Sequence, residues 1–356
     1  MAIPFAALPK VSLHEHLDGC VRLETVLELS QQQGIPLPAD SVDTLGAWIT
    51  ERTNGGSLER YLESFVLTTG VMQTAAGIHR VAYEYVLDQA ADGVIHAEVR
   101  WAPELCVQQG LDLEAAIEAV SAGIADATRA LAASGTAITV TQIISGMRHG
   151  NRVDQIASLA LRHRDSGVVA FDIAGPEAGF APSLFTSTFD RLRGEWMPVT
   201  IHAGEGDGLA SIQSALQDGH ALRLGHGVRI AEDLASTEDG WVLGRTAEWV
   251  RDRGVTLETS PTSNLHTGVF AAWGSTMAAH PFGRLYDLGF AVTVNTDNKL
   301  MSGTSLSNEL SVLTETFGYG LADHEVFQLN AASALFAAPE VRASVSSRVR
   351  AGFAAL

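Results

Sequence analysis

KVSLHEHLDG, residues 10–19, sets a short apolar and β-branched run against two histidines, two acids and a glycine. Its length and composition favour a buried strand over a helix. On a strand, His14 and His16 lie two apart and point to one face, while Glu15 points to the other. Two imidazoles converging on one spot form a partial metal site. HxH alone reads as well as two polar residues at a strand end, so the rest of the chain has to supply further ligands.

Seven more segments repeat the pattern of a short apolar run ending in polar residues or glycine. They are VIHAEVRWAP (94–103), ITVTQIISG (138–146), VVAFDIAG (168–175), PVTIHAGE (198–205), ALRLGHGV (221–228), VTLETSPTSN (255–264) and AVTVNTDN (291–298). Stretches of helical spacing lie between them, such as residues 111–134. Strand alternating with helix through eight strands predicts an α/β chain folded as a (β/α)8 TIM barrel. An open doubly wound sheet would alternate too, but with fewer strands, and the chain has no GxGxxG. The link between the first two strands, about residues 20–90, is far longer than a plain crossover and reads as a helical insertion. Within it, GGSLERYLESFVLTTGVMQ (55–73) places Leu58, Tyr61, Leu62 and Phe65 on one helical face. That face serves either ordinary core packing or a lid over the barrel mouth. Residues 299–356 read as extra C-terminal helices closing the barrel. With no low-complexity linker, residues 1–356 are expected to form a single domain.

Composition narrows the function. A hydrophobic content of 46% with 18% charged residues describes a globular chain with a sizeable core. The net charge of −18 repels phosphate backbones, so nucleic acid is not an expected partner. Cys20 and Cys106 form no CxxC pair and no disulfide framework, which fits a reducing cytoplasm. MAIPFAALPK lacks the basic and long apolar regions of a signal peptide, and no run approaches a membrane span.

Barrels of this kind do their chemistry at the C-terminal ends of the strands. Here the first strand brings His14, His16 and Asp18, the fifth His202 and Glu205, the sixth His226, and the eighth Asp297. Among the other histidines, His79, His149, His163, His220, His266 and His280 fall in helices or loops and read as structural or solvated. His96 and Glu98 spell the HxE of zinc cytidine-type deaminases, but the matching PCxxC is absent and the match is coincidental. His14, His16, His202 and Asp297 together supply three imidazoles and one carboxylate, a donor set suited to zinc with a position left for water. Such a water has its pKa lowered to about 7. The fourth segment, VVAFDIAG, lacks the lysine that often bridges two ions in related hydrolases, which favours a single metal.

With these residues in view, the chain resembles the adenosine deaminase family of the zinc amidohydrolase superfamily. LHEHLDG, SLERYLE, AEVRWAP, FDIAGPE, HAGEGDG, RLGHGV, SPTSN and NTDN occur in family order from residue 10 to about 305. Any one is weak, and together they are specific. The resemblance implies a substrate, a small-molecule purine nucleoside, and a role for each matching residue. One Zn2+ per chain would sit on His14, His16, His202 and Asp297. Glu205 would protonate purine N1, and His226 would orient the zinc-activated hydroxide that attacks C6 of adenosine or 2′-deoxyadenosine, giving inosine and ammonia. Gly175 would donate its backbone N–H to N3, and Asp18 would bind the ribose, although an N-cap after the strand is the plain alternative for it. Asn298 stands where many members have a second aspartate facing N7. An asparagine amide donates there without titrating, and NTDN resembles a bacterial branch of the family. Glu15 replaces a more usual apolar residue, and Thr259–Ser260 replaces a frequent cysteine with an expected effect on packing alone. The closest rival substrates are adenine, AMP or an aminodeoxyfutalosine-type nucleoside. A lactonase or phosphotriesterase on the same barrel remains a further alternative.

Overall fold

The computed structural model describes residues 3–54, 56 and 58–356. Its strands are β1 (Lys10–His16), β2 (Val94–Trp101), β3 (Thr139–Met147), β4 (Val168–Ala174), β5 (Thr200–Ala203), β6 (Arg223–His226), β7 (Leu234–Thr237), β8 (Gly240–Leu243), β9 (Thr256–Thr259) and β10 (Val292–Val294). All eight segments read as barrel strands are present, as β1 to β6, β9 and β10. They form two parallel runs, β1-β2-β3-β4 and β5-β6-β9-β10.

Two seams close the barrel through the parallel bridges Phe171–Val199 and Glu15–Asp297. At the first, the Phe171 N–H donates to Pro198 O at 3.0 Å. At the second, Asp297 N–H donates to His14 O at 3.0 Å and His16 N–H to Asp297 O at 2.8 Å. Asn295, the first residue of NTDN, fastens this seam. Its Oδ1 accepts from Leu13 and His14 N–H at 2.9 and 3.1 Å, and its Nδ2 donates to Thr259 O at 3.1 Å. The rim histidines therefore stand on a strand whose ends are pinned on both sides.

The sequence pattern did not anticipate the antiparallel hairpin of β7 and β8 between β6 and the helix Arg245–Asp252. Its residues are almost wholly exposed, so it carries no buried-face alternation to read.

The insertion after β1 is helical, with Leu23–Gln33, Val42–Thr53, Leu58–Leu62, Phe65–Val71 and Ala75–Ala91. Gly55 and Ser57 of the stretch 55–73 lie outside the described residues. The Leu58, Tyr61, Leu62 and Phe65 face lines the cavity at the barrel mouth, as a cover does. Tyr61 is buried and its hydroxyl lies 2.8 Å from Ser302 Oγ, tying that cover to the short helix Lys299–Ser302 after β10. At the C-terminal end, Leu321–Ala334 and Pro339–Ala354 bury Ala331, Leu335, Val345, Val349 and Phe353 against Leu8, Val11 and Leu13. Each large side chain buried this way contributes roughly 1.5–3 kcal/mol and seats β1. Among the described residues no helix is long and apolar enough to cross a membrane.

Candidate active site

The C-terminal rim encloses a cavity of about 540 Å3 lined by His16, Asp18, Gly175, His202, Glu205, His226, Asp297 and Asn298, with His14 buried beneath them. Every residue singled out in the sequence therefore meets at one place. The donor atoms of His14, His16, His202 and Asp297 lie within 4.8 Å of one another. His16 Nε2 is 3.1 Å from His202 Nε2 and 3.4 Å from Asp297 Oδ1, and His14 Nε2 is 3.3 Å from the same oxygen.

Buried charges behind the rim aim these rings. His14 Nδ1 lies 2.9 Å from Glu258 Oε2, and His202 Nδ1 lies 2.9 Å from Asp172 Oδ2. A carboxylate on Nδ1 holds the proton there and leaves Nε2 with its lone pair toward the centre. Arg100 lies between the two acids, 2.6 Å from Glu258 and 3.1 Å from Asp172. Arg223 pairs with Glu258 and Glu98, each at 2.6 Å. Ser263 Oγ donates to Asp297 Oδ2 at 2.6 Å, which turns the other oxygen toward the histidines.

Glycines make the close approaches possible. A Cβ on Gly225 would lie 3.0 Å from His14 Cε1 and 3.1 Å from His202 Cα, so the GHG motif keeps one face of β6 bare where two ligands pass. A Cβ on Gly19 would fall 2.0 Å from Asn298 Oδ1, which explains the glycine of LHEHLDG. His226 and Asp297 both adopt left-handed backbone, with φ of 59° and 61°. Left-handed backbone is uncommon outside glycine, although aspartate and histidine adopt it more readily than most, and Trp196 and His220 share it away from the rim.

Electrostatics separate the acids by task. Burial drives the Glu205 carboxyl well above its usual range, reinforced by Asp297 and Glu177, which favours its protonated form. Burial also opposes ionisation of Asp297, but the adjacent His14 ring and the other imidazoles around it outweigh that and keep the carboxyl well below its usual range. Burial pushes Asp18 up to about 6. Burial lowers His16, His202 and His226, which favours neutral imidazoles.

Asp18 sits inside the 3-10 turn Leu17–Gly19, whose N-cap is His16, so the N-cap alternative does not hold. Its Oδ1 is buried without a hydrogen-bond partner. Glu15 faces away from the cavity as expected and accepts from Ser12 and Tyr85 at 2.9 and 2.8 Å, and from Gln89 and Thr296.

Three residues carry more than the sequence suggested. Glu177 of FDIAGPE accepts backbone N–H groups of Gly204, Glu205 and Gly206 at 2.7, 3.0 and 2.7 Å, fixing the loop that presents Glu205. His149, read as structural or solvated, lines the cavity, and its Nδ1 would be 2.9 Å from a Cβ on Gly175. Arg148, fully enclosed, donates to His202 O at 2.7 Å and Ile173 O at 3.0 Å. Glu177 lay inside a quoted motif without a role of its own, and Arg148 and His149 follow the third strand segment with no other signal.

Fold and site together define a class: hydrolases that work at a metal centre on the rim of a parallel barrel. A family profile described as adenosine deaminase matches residues 9–352. The chain is 50% identical over 330 residues to an adenosine deaminase of Mycobacterium sp. (strain KMS), covering 92% of this chain and 90% of that one. Against the adenosine deaminase of Mycolicibacterium vanbaalenii it is 50% identical over 343 residues, covering 96% and 94%. An amidohydrolase from Burkholderia ambifaria, solved with zinc bound, superposes with a TM-score of 0.81 at 25% identity, covering 99% of this chain and 92% of that one. The chain belongs to the adenosine deaminase family.

Proposed function

We propose that the chain hydrolyses adenosine, and 2′-deoxyadenosine with it, to inosine and ammonia, using one zinc ion held by His14, His16, His202 and Asp297. The convergence of these four donors within 4.8 Å carries the reading. The donor set fits zinc. His14 Nε2 is buried with no hydrogen-bond partner, an atom that a cation would satisfy. A second group of possible ligands, Glu205, His226 and Asp297, shares Asp297 with the first. β4 offers no lysine to bridge two ions. A zinc ion held by these four residues would lower the pKa of a water ligand to about 7 and so make hydroxide available at neutral pH.

The chain's own residues do the rest. Glu205, kept protonated by burial, gives its proton to purine N1, which makes C6 electrophilic. His226 presents a ring nitrogen beside C6, 3.4 Å from Glu205 Oε2. Gly175, at φ 96°, offers its N–H to N3 with no side chain in the way of the base. Asp18 offers its unpartnered oxygen to a ribose hydroxyl, and Asn298 its amide to N7. Leu58, Leu62 and Phe65 cover the mouth and keep bulk water out. No lysine or arginine is among the described residues lining the cavity, which favours a nucleoside over AMP. Free adenine would leave Asp18 without a partner. The whole of residues 1–356 works as one domain on this reading. It operates in the cytoplasm, where the buried, free Cys20 and Cys106 stay reduced.

The test is the ultraviolet spectrum of adenosine with the purified protein, beside adenine and AMP, with a metal assay on the same sample. Conversion to the inosine spectrum at about one zinc per chain supports the reading. Zinc-loaded protein that leaves adenosine unchanged overturns it. Glu205→Gln should retain zinc and lose turnover, and normal turnover by that variant would remove Glu205 from its role.

A further inference from the structure

His280 was read from the sequence as structural or solvated, but it is fully buried and ends a chain of hydrogen bonds that reaches the cavity. It precedes Pro281 and the helix Phe282–Asp287. A helix start leaves backbone N–H groups without intrahelical partners. One of them, Phe282 N–H, donates to His280 Nδ1 at 3.0 Å. A backbone N–H can only donate, so His280 Nδ1 is an acceptor and its ring proton lies on Nε2. That nitrogen is 3.2 Å from Asn264 Oδ1, on the helix Pro261–Thr267. His280 donates there, which turns the amide so that Asn264 Nδ2 faces His226 Nδ1 at 2.9 Å.

The reverse arrangement fails at its far end. If Asn264 presented its oxygen to His226, its Nδ2 would face His280 Nε2, which would then have to accept. His280 Nδ1 would carry the proton and meet the Phe282 N–H head on. A doubly protonated His280 does not arise near neutral pH, since burial pushes it down to about 3.

We propose that Asn264 and His280 form a positioning relay that holds His226 with Nδ1 bare and its proton on Nε2, aimed into the cavity. His226 Nε2 is buried without a hydrogen-bond partner and lies 3.4 Å from Glu205 Oε2. His226 is therefore a hydrogen-bond donor to the atoms reacting at C6, not the base that takes their proton. This consequence for rate rests on the deaminase reading above, while the tautomer itself does not. The polarity is set remotely, by the first free N–H of a helix outside the barrel wall. It also differs from that of His14 and His202, whose Nδ1 atoms face carboxylates.

Histidine-selective 15N NMR of the zinc-loaded protein reads the tautomer directly, with the His226 signals assigned by their loss in His226→Gln. The expected spectrum has an unprotonated Nδ1 and a protonated Nε2 on His226. A proton on Nδ1 overturns the proposal whatever the substrate proves to be. Asn264→Asp keeps the shape but removes the donor that faces Nδ1, so Nδ1 should gain a proton. kcat should then fall by roughly 10²–10³, the usual cost of losing one oriented donor, with KM and zinc content little changed. An Asn264→Asp protein that leaves Nδ1 bare overturns the relay. One that protonates Nδ1 and keeps kcat overturns the link from tautomer to rate. His280→Gln can still accept from Phe282 and donate to Asn264, and should preserve both spectrum and kcat. His280→Leu frees the amide and should yield mixed tautomers. If His280→Leu does not fold, the wild-type and Asn264→Asp spectra still decide.

Discussion

Glu258 is the place to test whether the buried charges behind the rim act on the metal centre or only on stability. Its two oxygens serve Arg100 Nη2 at 2.6 Å, Arg223 Nε at 2.6 Å, Thr200 Oγ1 at 3.0 Å and His14 Nδ1 at 2.9 Å. Burial opposes its charge, but the two guanidiniums outweigh that and hold the carboxyl well below its usual range. Glu258→Gln keeps the shape and replaces one acceptor oxygen by an NH2 group. Breaking a buried pair from one side costs about 3–5 kcal/mol. Arg100 keeps Asp172 and Leu13 O, and Arg223 keeps Glu98 and Ala334 O, so the lower end applies, about 3 kcal/mol. At an m-value near 3 kcal/mol/M, the urea midpoint should drop by roughly 1 M. A second effect is chemical. Where the new NH2 faces His14, Nδ1 must accept, so Nε2 takes the proton and loses the lone pair a metal needs. Metal affinity should fall by roughly 10–100-fold. Urea unfolding and a competitive chelator titration measure the two effects separately. Glu98→Gln is the control, because Glu98 touches Arg223 and no metal-facing histidine. It should lower stability and spare metal affinity. A Glu258→Gln protein with wild-type metal affinity would refute the coupling through His14.

Other perturbations test separate parts of the molecule. Burial pushes Glu309 up to about 7 from an ordinary 4.5. Between those values the unfolded chain releases a proton that the folded chain keeps. Stability should therefore fall by about 3 kcal/mol as pH rises from 4.5 to 7. Glu309→Gln, which mimics the protonated acid, should remove that part of the slope in urea melts taken across the range. An unchanged slope would show that Glu309 ionises freely. Gly19→Ala drives a methyl into Asn298, and an overpacking cost of about 1–3 kcal/mol predicts a kcat/KM loss of roughly ten- to hundredfold with metal retained. A variant as active as the parent would mean that Asn298 does not contact the substrate. Chelation should lower the melting temperature and added zinc restore it, since a ligand at a hundred times its Kd stabilises by about 2.7 kcal/mol. Identical melts with and without chelator would exclude a resident metal.

The parts of this structure legible in the sequence are those where side-chain period and chemistry coincide. Buried parallel strands are short apolar runs, and β1 to β6, β9 and β10 all fall inside the segments that showed them. His14, His16, His202 and Asp297 were legible because polar residues at strand ends have no packing reason to be there. Arg100, Arg148 and Arg223 were not, since an isolated arginine normally signals a surface. Only folding brings Asp172, Glu98 and Glu258 against Arg100 and Arg223. His280 and Asn264 are sixteen positions apart and acquire meaning only when the helix Phe282–Asp287 supplies a donor. Glu177 lies on a loop, where no periodicity tells which backbone N–H groups it will meet. Asp18 shows the limit within a motif, because only the 3-10 turn separates a substrate contact from an N-cap.

The left-handed backbones at His226 and Asp297 bear on how this chain can be engineered. An L-residue other than glycine held there costs of order 1–2 kcal/mol. Glycine would sit more comfortably at either position, and asparagine at 226. A library selected purely for heat resistance should therefore enrich those two residues at position 226, trading the chemistry of the rim for about 1 kcal/mol, while at 297 the loss of a metal ligand outweighs that gain. Breeding this scaffold for robustness alone would keep its metal and erase its purpose first at His226.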